Sequence, residues 1–156
     1  MAVALLDARG FKAEDFARSH PGGALGRRLL THVRDIMRGG SDVPAVKENA
    51  SFIDLMREIS AKGLGATAIV NEQHQVLGVF TDGDLRRAIE SGHDLRQHQA
   101  HQLMRPNPRT IGVDALAAEA ADVMEQHRIS CLLVLDANGK LCGALNTHDL
   151  MRAKVI

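Results

Sequence analysis

The chain has 156 residues, 45% of them apolar, with 19 basic and 19 acidic side chains that cancel at pH 7. That length fits one domain, or two small ones sharing a core, and the charge balance excludes a generally basic nucleic-acid binder or a polybasic membrane-surface protein. Trp and Tyr are absent and only Phe11, Phe16, Phe52 and Phe80 are aromatic, too few for a base-stacking platform.

The first 32 residues contain too little apolar sequence for a core of their own. Ala2 to Ala8 reads as the tail of a helix ended by Gly10, and Ala13 to Arg18 as a second short helical piece. Ser19-His20-Pro21-Gly22-Gly23 is a break, and Ala24 to Leu30 is helical again. Asp7 and Arg9 interrupt any signal-peptide core. No apolar run approaches the roughly 20 residues that span a bilayer. A soluble, cytoplasmic chain is expected, with no membrane and no nucleic-acid partner.

From there the chain alternates in a regular way. An extended piece, Val43 to Val46, leads into a helix with an apolar stripe at Ile53, Met56 and Ile59. A strand over Thr67 to Val70, a polar turn and a strand over Val76 to Phe80 follow. A closing helix starts near Gly83. The same order then recurs. An extended Arg109 to Val113 precedes a helix striped by Leu116, Ala120, Val123 and Met124. Strands Cys131 to Leu135 and Leu141 to Leu145 follow, and a helix opens near His148.

The recurrence is an internal repeat. Shifting by 65 lays residues 46–88 on 111–153 without a gap, so that Ala50 meets Ala115, Gly78 meets Gly143, Asp84-Leu85 meets Asp149-Leu150 and Arg87-Ala88 meets Arg152-Ala153. Upstream, Ile36-Met37-Arg38 resembles Leu103-Met104-Arg105 at a shift of 67. One β-α-β-β-α unit would leave a sheet face wet; two copies about a two-fold axis bury those faces together. Asn138-Gly139 predicts a two-residue type I′ hairpin. In that register Cys142 faces Leu135 and Cys131 faces Asn146, so the two thiols stay reduced and buried.

Gly78-Val79-Phe80-Thr81-Asp82-Gly83-Asp84 is the sharpest local pattern. A strand ends on a hydroxyl residue and an aspartate follows three positions later at a helix start. A capping box explains it, with Thr81 capping and Asp84 reaching back. A phosphate at the helix N-terminus, with a ribose on the aspartate, uses the same geometry. Gly143-Ala144-Leu145-Asn146-Thr147-His148-Asp149 repeats the pattern with Asn146 as cap. His98 and His101 have a spacing that could hold a metal, but no Cys or carboxylate accompanies them, and a solvated linker face is the expectation. Pro21 to Gly26 lacks the spacing of a phosphate loop. No metal and no cofactor is expected.

Tandem β-α-β-β-α units ending in this glycine-to-aspartate pattern resemble the CBS domain pair, or Bateman module, over residues 33–156. The resemblance implies adenine nucleotides or related ligands in clefts between the units. Thr81 and Asp84 would hold phosphate and ribose, with Val46 and Ala66 as apolar lining. Asp149 matches in the second unit, where Asn146 replaces the hydroxyl.

Residues 13–30, followed by Val33-Arg34-Asp35-Ile36-Met37, resemble the junction of KpsF/GutQ-type sugar isomerases, the arabinose-5-phosphate isomerases, as does Thr81-Asp82-Gly83-Asp84-Leu85-Arg86-Arg87. The resemblance implies that a sugar isomerase (SIS) domain precedes this point. It would interconvert D-ribulose 5-phosphate and D-arabinose 5-phosphate on the way to Kdo and lipopolysaccharide. It places a catalytic imidazole at His20, suited to moving a proton, while that residue's partners lie upstream.

The expected fold is therefore α+β: tandem β-α-β-β-α CBS units related by a pseudo-two-fold axis, preceded by a helical linker. Residues 1–32 would be the SIS remnant and linker, 33–92 the first unit and 93–156 the second. The expected role is a regulatory pair that binds a nucleotide-type effector, an adenine nucleotide or a CMP-sugar such as CMP-Kdo, and homodimerises. This chain alone would be inactive. The alternative is a ligand-free dimerisation scaffold of the same enzyme.

Overall fold

A computed structural model of the chain describes residues 24–156. The helical segments at Ala2–Ala8 and Ala13–Arg18, and His20, lie outside the described residues. Ala24–Leu30 (α1) and Val33–Ile36 (α2) lead into the first unit. That unit runs Arg38–Gly39 (β1), Ala45–Lys47 (β2), Phe52–Lys62 (α3), Ala66–Val70 (β3), Val76–Thr81 (β4) and Asp82–Glu90 (α4). The second unit runs Ala100–Leu103 (α5), Arg105–Pro106 (β5), Thr110–Gly112 (β6), Ala117–His127 (α6), Cys131–Leu135 (β7), Leu141–Asn146 (β8) and Thr147–Arg152 (α7).

Two four-stranded sheets result, ordered β2-β3-β4-β5 and β1-β8-β7-β6. Side chains of a strand alternate between faces, and here the faces separate three clusters. Ala66, Ala68, Val70 and Val79 meet Leu133, Leu141 and Ala144 between the sheets. Ile69 and Phe80 turn outward to Leu55 and Ile59 of α3 and Ala100 of α5. Leu132, Val134 and Leu145 turn outward to Ala117, Ala120 and Met124 of α6 and Leu150 of α7. Each sheet thus has one face on its own helices and one on the other sheet.

The two copies exchange their leading segments. β1 pairs antiparallel with β8 of the second unit, Arg38 opposite Ala144 and Gly39 opposite Gly143. β5 pairs antiparallel with β4 of the first unit, Arg105 opposite Val79 and Pro106 opposite Gly78. The helical turns before these strands cross over too. The Val33 amide donates to the Ala115 carbonyl at 2.8 Å, and the Ala100 amide to the Ala50 carbonyl at 2.8 Å. In space, therefore, each unit's first turn sits on the other unit. Gly78 and Gly143, matched in the repeat, lie where the exchanged strands approach: a Cβ on Gly78 would stand 2.7 Å from the Arg105 carbonyl oxygen, and one on Gly143 3.0 Å from that of Arg38.

Three local expectations are corrected. Of the expected stripe, Ile59 is buried and Met56 packs beside it, but Ile53 is 53% exposed and Leu55 takes its place. Ser51 caps the helix by accepting from the Asp54 amide; with Leu55 and Ile59 on the core, Ile53 stands about 200° round the helix from Leu55 and faces out. Leu116 is the residue before α6, and the buried face of that helix is Ala117, Ala120 and Met124. Asn138-Gly139 does not form a two-residue turn. The Asp136 amide bonds the Lys140 carbonyl at 2.9 Å, the Asp136 carboxylate accepts from the Asn138 and Lys140 amides, and only Gly139 has positive φ, at 77°. This is the three-residue loop with a left-handed closing residue. It shifts the register between Val134 and Leu135, so Leu135 faces Leu141 rather than Cys142, while Cys131 does face Asn146. Both cysteines are free thiols, half-buried rather than buried as expected.

Candidate functional site

The end of β4 and the start of α4 form a capping box. The Asp84 amide donates to Thr81 Oγ1 at 3.1 Å, and the Thr81 amide donates to Asp84 Oδ2 at 3.0 Å. Arg87, one turn along α4, donates to Asp84 Oδ1 at 2.7 Å. Arg105, arriving on the exchanged strand β5, donates from Nε to Oδ2 at 3.1 Å. The carboxylate is 8% exposed and clamped from its own helix and from the other unit. Burial pushes the Asp84 carboxyl up, but the hydrogen bonds from Arg87, Thr81 and Arg105 together outweigh it and hold it below its ordinary value.

The second unit repeats the device. The Asp149 amide donates to Asn146 Oδ1 and the Asn146 amide to Asp149 Oδ2, each at 3.0 Å. Arg38 on exchanged strand β1 and Arg152 on α7 take the places of Arg105 and Arg87, at the longer distances of 3.4 and 3.8 Å. Capping is therefore common to both units.

The seam beside the two caps is not common to both. Next to Asp149, Arg38 Nη1 donates to the Lys62 carbonyl at 2.9 Å, and Lys62 Nζ donates to the Ser41 carbonyl at 2.6 Å. These bonds bridge the seam from β1 to the end of α3. Next to Thr81 the seam opens into a cleft of about 850 Å³. Its walls are Thr81, Asp82, Gly83 and Arg87 of the first unit, the segment Arg105 to Arg109, and His127 to Cys131 from the end of α6 into β7. Four guanidinium groups line it (Arg87, Arg105, Arg109 and Arg128) against the single lining carboxylate of Asp82, in a chain whose charges otherwise cancel. The volume is in the range of small-molecule sites.

Of the residues singled out from sequence, Thr81 lies in this cleft, and Asp84 stands behind it, held by two of the lining arginines. Val46 and Ala66 are not among its walls. Val46 packs on the Leu55–Phe80 cluster and Ala66 is fully buried between the sheets. Asn146 and Asp149 sit at the bridged side of the seam. The sequence reading missed Arg105, Arg109, His127 and Arg128, which come from two segments far from Thr81 in the chain. The match of Arg38 with Arg105 was the available signal for one of them.

Cys131, also in the wall, is inert at neutral pH. Burial pushes its thiol up to about 11, with Arg105 pulling down and Asp82 and Asp84 adding to the rise. His98 Nδ1 lies 3.0 Å from the Asp94 carbonyl oxygen and His101 Nδ1 2.9 Å from that of Glu48, so both rings are engaged locally. Among the described residues no group of three or more His, Cys, Asp or Glu could hold a metal, and no helix is long and apolar enough to cross a membrane.

A family model for the CBS domain matches residues 33–91 and 100–156. The chain is 50% identical over all 156 residues to the arabinose 5-phosphate isomerase KdsD of Pseudomonas aeruginosa. It is 47% identical over the same span to the arabinose 5-phosphate isomerase KdsD of Escherichia coli K12. It spans about half the length of these curated relatives, 48% and 47%. Among solved structures, CBSX2 in complex with AMP superposes with a TM-score of 0.66 at 24% identity, covering 79% of this chain and 95% of that one.

Proposed function

The chain belongs to the CBS-domain family, and from that premise we propose that it is the regulatory pair of an arabinose-5-phosphate isomerase, with a nucleotide-type effector in the cleft at Thr81. The parent protein interconverts D-ribulose 5-phosphate and D-arabinose 5-phosphate, and residues 1–32 join the pair to its SIS domain. Identity of 50% and 47% over the whole of this chain to arabinose 5-phosphate isomerases, about half of whose length it spans, supports the parent assignment. The observation that carries the effector is the open, arginine-lined cleft between the units, set against a matched seam that hydrogen bonds bridge. The effector is an adenine nucleotide or a CMP-sugar such as CMP-Kdo. Its phosphate meets the start of α4 at Gly83, between the Asp82 amide, which donates to the Gly65 carbonyl, and the Asp84 amide, which donates to Thr81 Oγ1. It touches both units, so it favours one relative placement of them and transmits that preference to the enzyme.

A thermal-shift panel of adenine nucleotides, cytidine nucleotides and CMP-Kdo tests this. A ligand at 100 times its Kd stabilises by about 2.7 kcal/mol, a rise of about 5–10 °C for a chain of this size. A flat response across the panel would discard the effector.

A scaffold reading rests on a different observation. Ile53, Ile89 and Met151 are exposed on α3, α4 and α7, and a self-pairing surface would cover them. It predicts a dimer by light scattering with no ligand response at all.

This chain by itself is expected to give no turnover of D-ribulose 5-phosphate in a coupled assay. A single imidazole at His20 cannot both hold the sugar phosphate and serve C1, C2 and their oxygens. Measurable conversion by the purified chain would refute that expectation.

A further inference from the structure

The open seam differs from the bridged one at a few matched positions, and one of them carries backbone strain. α3 ends at Gly63 with φ 66° and ψ 22°, its amide bonding the Ile59 carbonyl. The matched residue at the end of α6 is Arg128, with φ 53° and ψ 44°, its amide shared between the Glu125 and Met124 carbonyls. Glycine adopts this left-handed conformation freely, whereas a Cβ crowds the next carbonyl oxygen. The helix would therefore end better on glycine, as its counterpart does.

The Arg128 side chain recovers nothing from the fold. Among the described residues it has no ion pair; the ion pairs around the caps belong to Arg38, Arg87, Arg105 and Arg152. It lines the cleft instead, with Arg109, which likewise has no ion pair among the described residues. The other two lining arginines, Arg87 and Arg105, are engaged by Asp84. The cleft thus holds two guanidinium groups engaged by a carboxylate at the start of α4 and two more with no ion-pair partner among the described residues. Strain kept at a ligand-facing position is a mark of function when nothing structural explains it.

We infer that Arg128, together with Arg109, is a specificity-determining residue for a second anionic group on the effector, so that the cleft selects nucleotides bearing two or more separate negative groups over nucleosides and nucleoside monophosphates. The inference rests on the nucleotide reading above. The second group is a further phosphate or a sugar carboxylate, which share the chemistry a guanidinium fork recognises.

Isothermal titration of the whole 156-residue chain with AMP, ADP, ATP, CMP, CTP and CMP-Kdo at about 0.1 M salt tests it. The wild-type chain should prefer at least one polyanionic probe over its monophosphate by about tenfold or more, the worth of one charged hydrogen bond. Its identity, polyphosphate or CMP-sugar, tells the two sources of the second group apart. Arg128→Gly should bring that ratio close to one, with less than a twofold change for the monophosphates, and should raise the melting temperature of the unliganded chain by about 2–4 °C. Arg128→Ala keeps the Cβ and should lose the same discrimination without the gain in melting temperature. Arg128→Lys should restore part of it.

An unchanged ratio in Arg128→Gly and Arg128→Ala, or an equal loss for every probe, overturns the inference while leaving the nucleotide reading standing. A wild-type chain that binds none of the probes overturns both.

Discussion

Replacing Asp84 with alanine is expected to cost the fold about 2 kcal/mol and to abolish the rise in melting temperature on adding the effector. The stability term is dominated by the cap. Thr81 Oγ1 still accepts from the amide at position 84, but the Thr81 amide loses its acceptor at the start of α4, and leaving such a group unpaired typically costs about 1–3 kcal/mol. Arg87 and Arg105 are more than half exposed and return to water, so their ion pairs add little. The binding term is larger in effect, because Asp84 sets where Arg87 and Arg105 stand at the mouth of the cleft. Asp149→Ala is the control: it removes the matched cap at the bridged seam, so it should destabilise comparably and leave the ligand response intact.

Acid should reveal the same carboxylate. Asp84 is held below its ordinary value of 3.8 in the folded chain. A depressed folded pKa gives stability that is complete above the unfolded pKa and is lost as pH falls through the folded one. The wild-type urea midpoint should therefore fall more steeply than that of Asp84→Ala below about pH 4. Parallel slopes would mean that the carboxylate is not held as described.

The second large effect is expected at Gly78, where alanine should cost about 1–3 kcal/mol, the usual range for overpacking. The added Cβ would lie 2.5 Å from Met104 Sδ and 2.7 Å from the Arg105 carbonyl oxygen. The methionine can rotate, but the carbonyl belongs to β5 and moves only if the exchanged strand is displaced. That displacement would carry Arg105 off Asp84, so ligand affinity should fall with stability. Gly143→Ala should act similarly on β1. Gly112→Ala, where nothing lies within 4 Å of the new Cβ, should stay within about 0.5 kcal/mol. Equal urea midpoints for Gly78→Ala and Gly112→Ala would refute the close approach.

The repeat made the fold legible because its matched residues are those that build it. Gly78 and Gly143 admit the exchanged strands, and Asp84 and Asp149 close the caps. Arg87 with Arg152, and Arg38 with Arg105, hold those carboxylates. The same economy hid the cleft. What distinguishes the open seam is where the copies differ: Arg128 against Gly63, and His127 against the bridging Lys62. Val46 and Ala66 were placed by family pattern, which gives a strand but not which of its faces meets the seam, and both face the core. Ile53 fitted a helical stripe because a spacing of three fits more than one phase; packing of Leu55 and Ile59 on Ile69, Phe80 and Ala100 uses the other. In the hairpin, Asp136 Oδ1 accepts from the amides of both Asn138 and Lys140 and draws the turn into a longer loop.

The crossed strands bear on how such a molecule could have arisen. Severed between residues 92 and 93, each peptide would carry an arm whose berth is on the other, and neither would be complete alone. A gene for a single repeat would have to encode an obligate dimer with arms traded between two chains. Fusing two copies turns that bimolecular encounter into a first-order, dilution-proof step. It also frees the halves to diverge, so that one seam carries bridging hydrogen bonds while the other opens into an arginine-lined cleft.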